Sequence, residues 1–204
     1  MPKAIGHSKI MAISSVSGSN FSTTKLMGQL RLAFSDPLSK EGNVKKGLTG
    51  KFNFIQNRLF LTPDARASSK ETNHVTTSRR VGNRFSAKVN VTLEDHTGQT
   101  RKDAGFILKK QDDKNYLSMS VSTKQDVRFY RVVDGEKSLI KTVSLDEQIP
   151  KNFDMQVDVN NSNFDFYLDG EKLLSAKDST FSGGELGFGS FRGLGSFSDL
   201  EIYQ

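Results

Sequence analysis

Six side chains in the second half of this chain have the types a polyhydroxylated ligand needs: Lys109, Tyr116, Arg128, Tyr130, Tyr167 and Arg192. Ring faces supply an apolar platform, and ammonium or guanidinium groups donate hydrogen bonds to hydroxyls or carboxylates. Each of the six reads as an off-core position on a strand. The supply of rings is small, because the chain has no Trp and only four Tyr. Hydrolysis of a glycosidic bond would require two carboxyl groups flanking it, roughly 5 to 9.5 Å apart. Asp165, Asp169 and Glu171 come nearest, but Asp169 falls in a turn and Glu171 lies beyond it, and no carboxylate pair is expected on alternating strand positions. They read as turn formers and solvated groups, and no catalytic residue is assigned. His7, His74 and His96 are too scattered for a ligand set. Asp112, Asp113 and Asn115 lack the alternate acids and Gly of a calcium loop, so neither a metal nor a cofactor is expected.

These groups must be positioned by strands. In "NRFSAKVNVTLED", Phe85, Ala87, Val89, Val91 and Leu93 fall on one side, and Ser86, Lys88, Asn90, Thr92 and Glu94 on the other. That period of two marks a half-buried strand. It recurs around Phe106 and Leu108, Leu117 to Val121, Val127 and Phe129, Phe153 to Val159, and Phe164 to Leu168. Turn residues separate the runs: "DDKN" at 112–115, Asp134-Gly135, "NNSN" at 160–163 and Asp169-Gly170. Strands with one apolar face need a second layer, and no long helix is predicted to supply it. The expectation is an all-β, two-sheet antiparallel sandwich with Phe106, Phe129, Val157, Phe166 and Phe188 between the sheets.

The Gly/Phe-rich stretch "GGELGFGSFRGLGSFSDLEIYQ" continues the alternation through Leu186, Phe188, Leu200 and Ile202. A phosphate-cradling loop would place its glycines between a strand and a helix. Here they read as sites of bulges and close approach within and between strands.

Residues 1–49 differ from the rest. "ISSVSGSNFSTT" and "SDPLSKEGNVKKG" are turn-rich, and "SNFSTTKLMGQLRLAF" between them fits a short helix or a strand equally. They are expected to form an N-terminal arm or linker ahead of a domain at 50–204. Leu26, Met27, Leu30, Leu32 and Phe34 are expected to bury against a neighbouring subunit or protein partner, with an edge strand on the chain's own sandwich as the alternative.

The 204 residues can enclose a sizeable core, and 15 Phe can fill it. Zero Cys excludes disulfides and thiolate metal sites. No apolar run approaches the ~18 residues of a membrane span, and no export signal is visible. The net charge of +6 raises anionic partners, but short basic groups such as Lys45, Lys46 and Lys51, or Arg79, Arg80 and Arg84, lack the basic helix or interleaved rings of nucleic-acid binders. Nucleic acid is therefore disfavoured.

The succession "AGFILKKQDDKNYLSMSV", "VRFYRVVDGEKSLI", "FDMQVDVNNSNFDFYLDGEKLL" and "DSTFSGGELGFGSFRGLGSFSDLEIY" resembles the concanavalin A-like lectin/glucanase superfamily, more narrowly its laminin-G-like and fructan-binding carbohydrate modules. The resemblance spans roughly residues 50–204 and implies a concanavalin-like jelly roll. Its glucanases carry an acidic triplet along one strand, which is missing here. Lys109 follows Ala-Gly and three apolar residues, where the fructan-binding modules commonly carry Arg. The resemblance implies a non-catalytic carbohydrate-binding or adhesion module with a glycan or polysaccharide as partner, within a larger assembly such as a phage virion or a cell surface. A purely structural virion component, with protein partners or self-assembly through residues 1–49, is the alternative, and a divergent glycoside hydrolase a distant one.

Overall fold

The computed structural model describes residues 25–40, 44–46, 51–62, 73–93, 102–191 and 194–204. A 3-10 turn at Met27–Gln29 precedes fifteen strands: β1 (Leu32–Asp36), β2 (Val44–Lys46), β3 (Lys51–Ile55), β4 (Arg58–Thr62), β5 (Asn73–Val81), β6 (Arg84–Leu93), β7 (Asp103–Asp112), β8 (Asn115–Ser122), β9 (Asp126–Val133), β10 (Glu136–Ser144), β11 (Asn152–Asn160), β12 (Asn163–Leu168), β13 (Glu171–Lys177), β14 (Gly184–Phe191) and β15 (Gly195–Tyr203). Sheet A runs β13-β12-β11-β6-β15-β4-β3, with β1 also on β15, and sheet B runs β10-β9-β8-β7-β14-β5-β2. Every pairing among the described strands is antiparallel.

The alternating apolar residues form one core between the sheets. Phe106, Phe129, Val157, Phe166 and Phe188 are all fully buried, as expected from the period of two. Rings meet across it: Phe129 lies 5.0 Å from Phe164, and Phe188 4.9 Å from Phe197. All four expected hairpin turns are present. Asp134-Gly135 and Asp169-Gly170 take positive φ at both residues, the geometry of tight hairpins. Gln56-Asn57 does the same between β3 and β4, with no glycine to announce it.

The Gly-rich stretch forms β14 and β15. Gly184 has φ +153, and a Cβ there would come within 2.6 Å of the Lys110 carbonyl oxygen. The glycine lets β14 approach the distorted end of β7.

Strands of both sheets precede residue 50, so the sheets do not begin at the expected 49/50 boundary. β1 pairs with the second half of β15, and β4 occupies the same edge beside its first half. β2 pairs with β5, and Leu38 lies in the core, 1% exposed. The physical reason is edge closure: β15 leaves backbone groups unpaired beyond β4, and β1 satisfies them. Of the ambiguous segment 19–34, residues 19–24 lie outside the described residues, and the rest is divided between the 3-10 turn and the start of β1. Phe34 packs against the core beneath the Arg79 guanidinium, 4.5 Å away, whereas Leu32 is 54% exposed.

A candidate ligand face on sheet B

The side chains of sheet B that point away from the core can be read strand by strand. One row runs Thr142, Arg128, Ser120, Gly105, Gly189, His74. The next runs Leu139, Tyr130, Ser118, Ile107, Gly187, Thr76, Lys45. Large groups stand at both ends, and serine or glycine fills most of the middle. The centre of this face is therefore low, and most of it is covered: Ile107, Ser118, His74 and Thr76 are at most 5% exposed, Gly105, Gly187 and Gly189 are buried, and Ser120 is part-exposed. Glycine is required there by packing, since a Cβ on Gly187 would come 2.8 Å from Thr76 Cα.

Arg128 and Tyr130 build one wall. The Arg128 guanidinium donates to Asp126 Oδ2 at 2.8 Å and to the Tyr130 hydroxyl at 3.2 Å, and Lys137 Nζ sits 4.2 Å from the centre of the Tyr130 ring. Partial burial works against the Arg128 charge, but Tyr130 and Asp126 outweigh it and hold its pKa above the ordinary value. The outcome is a charged planar donor fixed beside a half-exposed ring.

The opposite wall is set by a bend in the β7–β8 hairpin. Its pairing shifts between Leu108 and Asp112, with Lys109 at φ +50. β7 and β14 separate β8 from β5, yet the Tyr116 and His74 rings are 5.4 Å apart and Asp113 Oδ1 lies 3.4 Å from His74 Nε2. Asp113 also pairs with Lys110 at 2.7 Å. Burial would raise the Asp113 carboxyl, but Lys110 and His74 outweigh it and hold the pKa below the ordinary value. Glu185 accepts from Thr76 at 2.9 Å and pairs with Lys45 at 3.3 Å.

The structure thus gathers Tyr116, Arg128 and Tyr130 on one face, although Tyr116 is only 4% exposed because the bend draws its ring onto His74. Lys109 is not an off-core group. It is 1% exposed, and its ammonium donates to Asn83 Oδ1 at 3.3 Å and to the Asn161 carbonyl at 3.0 Å, 5.1 Å from the Phe164 ring. The bulge turns it inward, where it ties two hairpin turns together, and burial pushes its pKa down against the attraction of Asp178. Tyr167 lies on sheet A, and Arg192 falls outside the described residues, as do His7 and His96. The Asp112 carboxylate accepts from the Lys114 amide at 2.7 Å and from the Asn115 side chain, which makes it a turn former.

The outward face of sheet A holds what the sequence reading missed. Asp154, Gln156 and Asp158 alternate along β11, so carboxylates do occupy alternating strand positions. Asp158 is opposite Asp165 on β12. Each is already engaged: Asp154 by Lys88 and Asn90, Asp158 by Gln156 and Tyr167, and Asp165 by Ser175 and Lys172. Asp158 is 4% exposed, and no open carboxyl pair faces a cleft across this network. Burial, Asp158 and Asp165 push the Tyr167 hydroxyl up to about 12. The signal was present in "FDMQVDV", whose polar side alternates as cleanly as its apolar side.

Solved structures share this architecture. A carbohydrate binding module, CBM66, from Bacillus subtilis superposes with a TM-score of 0.69 at 18% identity, covering 79% of this chain and 96% of that one. The fold is the concanavalin A-like β-sandwich. A Bacillus subtilis protein of unknown function with a galectin-like fold has the same concanavalin-like architecture (TM-score 0.64, 11% identity, 85% and 96% covered), as does a Bacillus licheniformis β-glucanase (0.59, 13%, 84% and 97%). In sequence, a levanase of Bacillus subtilis is 25% identical over 122 residues, 58% of this chain, and the match spans only 18% of the levanase. No family model matches the chain.

Proposed function

We propose that the chain is a non-catalytic carbohydrate-binding module that holds a saccharide against the outward face of sheet B. The observation that carries this reading is the fixed Arg128–Tyr130 pair beside half-exposed Ser120, on a low floor whose other members, Ser118, Gly105 and Gly189, are buried. A sugar ring is flat enough for such a floor. Its C–H face packs on Tyr130, and its hydroxyls take hydrogen bonds from Arg128 and Ser120. Arg128 is preorganised by Asp126, so little side-chain freedom is lost on binding. The likeness to CBM66 and to the levanase segment supports a saccharide rather than another planar ligand and makes levan the first polymer to try.

Affinity electrophoresis in gels containing levan, inulin or mixed-linkage β-glucan tests it. The wild-type chain should be retarded by at least one polymer, and the Arg128→Ala/Tyr130→Ala variant should lose that retardation at least tenfold in apparent Kd. Equal retardation of the two proteins, or none in any polymer, rejects the reading.

A further inference from the structure

We infer that the seam between the two sheets carries a second saccharide site, selective for acidic sugars and separate from the face on sheet B. β10 ends sheet B and β13 ends sheet A, and between these edges lies a cleft of about 580 Å³, lined by Ile140, Lys141, Asn163, Asp165, Ser175 and Lys177, with Ala176. Its volume falls in the range of roughly 300 to 1,000 Å³ typical of small-molecule sites.

The lining combines an apolar patch with an amide, a hydroxyl, a carboxylate and two ammonium groups. Lys141 reaches from one sheet to the other and donates to the Ser175 carbonyl at 2.7 Å. The Ser175 hydroxyl donates to Asp165, which also pairs with Lys172 at 3.6 Å. Asp165 is thereby balanced, whereas Lys141 and Lys177 are exposed and form no ion pair among the described residues. The lining carries two ammoniums against one carboxylate, and Lys172 beside it answers Asp165, which brings the local excess to two positive charges. A carboxylate on the ligand answers that excess, and sugar hydroxyls answer Asp165 and Asn163. An acidic peptide adding as a strand to either exposed edge is the rival occupant. The mixed amide, hydroxyl and carboxylate lining favours the sugar, because strand addition uses backbone groups and needs none of these side chains.

Isothermal titration of the whole chain with trigalacturonate tests the inference, alongside its methyl ester and a triglutamate peptide. Trigalacturonate should bind with an affinity that falls as salt rises, its neutral ester at least fivefold more weakly, and triglutamate no better than the ester. Lys141→Ala/Lys177→Ala should weaken trigalacturonate at least tenfold, and Lys177→Glu, on an exposed residue, should do so without touching the Lys141 bridge. Arg128→Ala/Tyr130→Ala should change it less than twofold. Levan retardation by the lysine variants should stay unchanged, so failure here is distinguishable from failure of the sheet B site. Absent binding at millimolar trigalacturonate, unaltered binding by both lysine variants, tighter triglutamate binding, or loss through the Arg128 variant overturns it.

Discussion

Single side chains decide between structure and recognition in this protein. Lys109 has the residue type of a sugar ligand but the surroundings of a clasp: its ammonium joins the turns at Asn83 and Asn161 beneath the surface. Lys109→Ala should therefore lower stability by about 2 kcal/mol, through lost charge-assisted hydrogen bonds, and leave retardation in a saccharide gel within twofold of wild type. Denaturant unfolding and affinity electrophoresis check the two halves. Burial raises the Glu185 carboxyl, but the Thr76 hydrogen bond and the ammoniums of Lys45 and Lys110 outweigh it and hold its pKa below the ordinary value. A carboxyl whose folded pKa is depressed stabilises above its unfolded pKa, about 4.3, and that contribution disappears as pH falls through the folded value. Asp113 adds in the same direction. Melting temperature should decline on acidification below about pH 4.5, and more shallowly in Glu185→Gln, as scanning calorimetry across that range would show. For catalysis the expectation is negative: Asp165→Asn, Asp169→Asn and Glu171→Gln should leave no measurable change in release of reducing sugar from any polysaccharide.

Strands were legible in this sequence because burial on one face imposes a period of two, and Asp-Gly and Asn-rich pairs mark where they turn. Phe166 illustrates it: its alternation with Phe164 and Leu168 put it in the core, where it is 0% exposed. Truncation to Ala should cost about 3 to 5 kcal/mol, read from denaturant unfolding. Two kinds of feature were not legible. The bulge at Lys109 depends on β14 closing beside it at Gly184, a contact between residues 75 positions apart that no local pattern encodes. β1 and β2 are short, and their pairing with β15 and β5 is set by edges created elsewhere. Their membership in the sheets changes what truncation should do. Deleting residues 1–49 removes Leu38 from the core and bares one edge of the second half of β15, so the melting temperature should drop by about 2 to 4 °C for each kcal/mol lost. An unchanged melting temperature would show that β1, β2 and Leu38 add nothing to the sandwich.

The whole molecule presents two outward sheet faces of unlike character. That of sheet A is a closed polar network in which Ser86, Gln156, Asp158 and Ser196 are nearly inaccessible. The centre of the sheet B face is covered as well, with Ile107, His74, Thr76 and Ser118 at most 5% exposed, but this face keeps Arg128, Tyr130 and Ser120 part-exposed. A concanavalin A-like sandwich can carry a ligand on a face, at an end or along a seam, so the fold alone does not select the site. The selection here rests on side chains fixed in advance yet still reachable. Mapping amide chemical shifts while a levan oligosaccharide is titrated into the isotope-labelled chain tests this most directly. Saturable shifts clustered at Ser118, Ser120, Arg128 and Tyr130, abolished in Arg128→Ala/Tyr130→Ala, are the predicted result, whereas saturable shifts confined to β6, β11 and β12 of sheet A, or none at millimolar sugar, would contradict it.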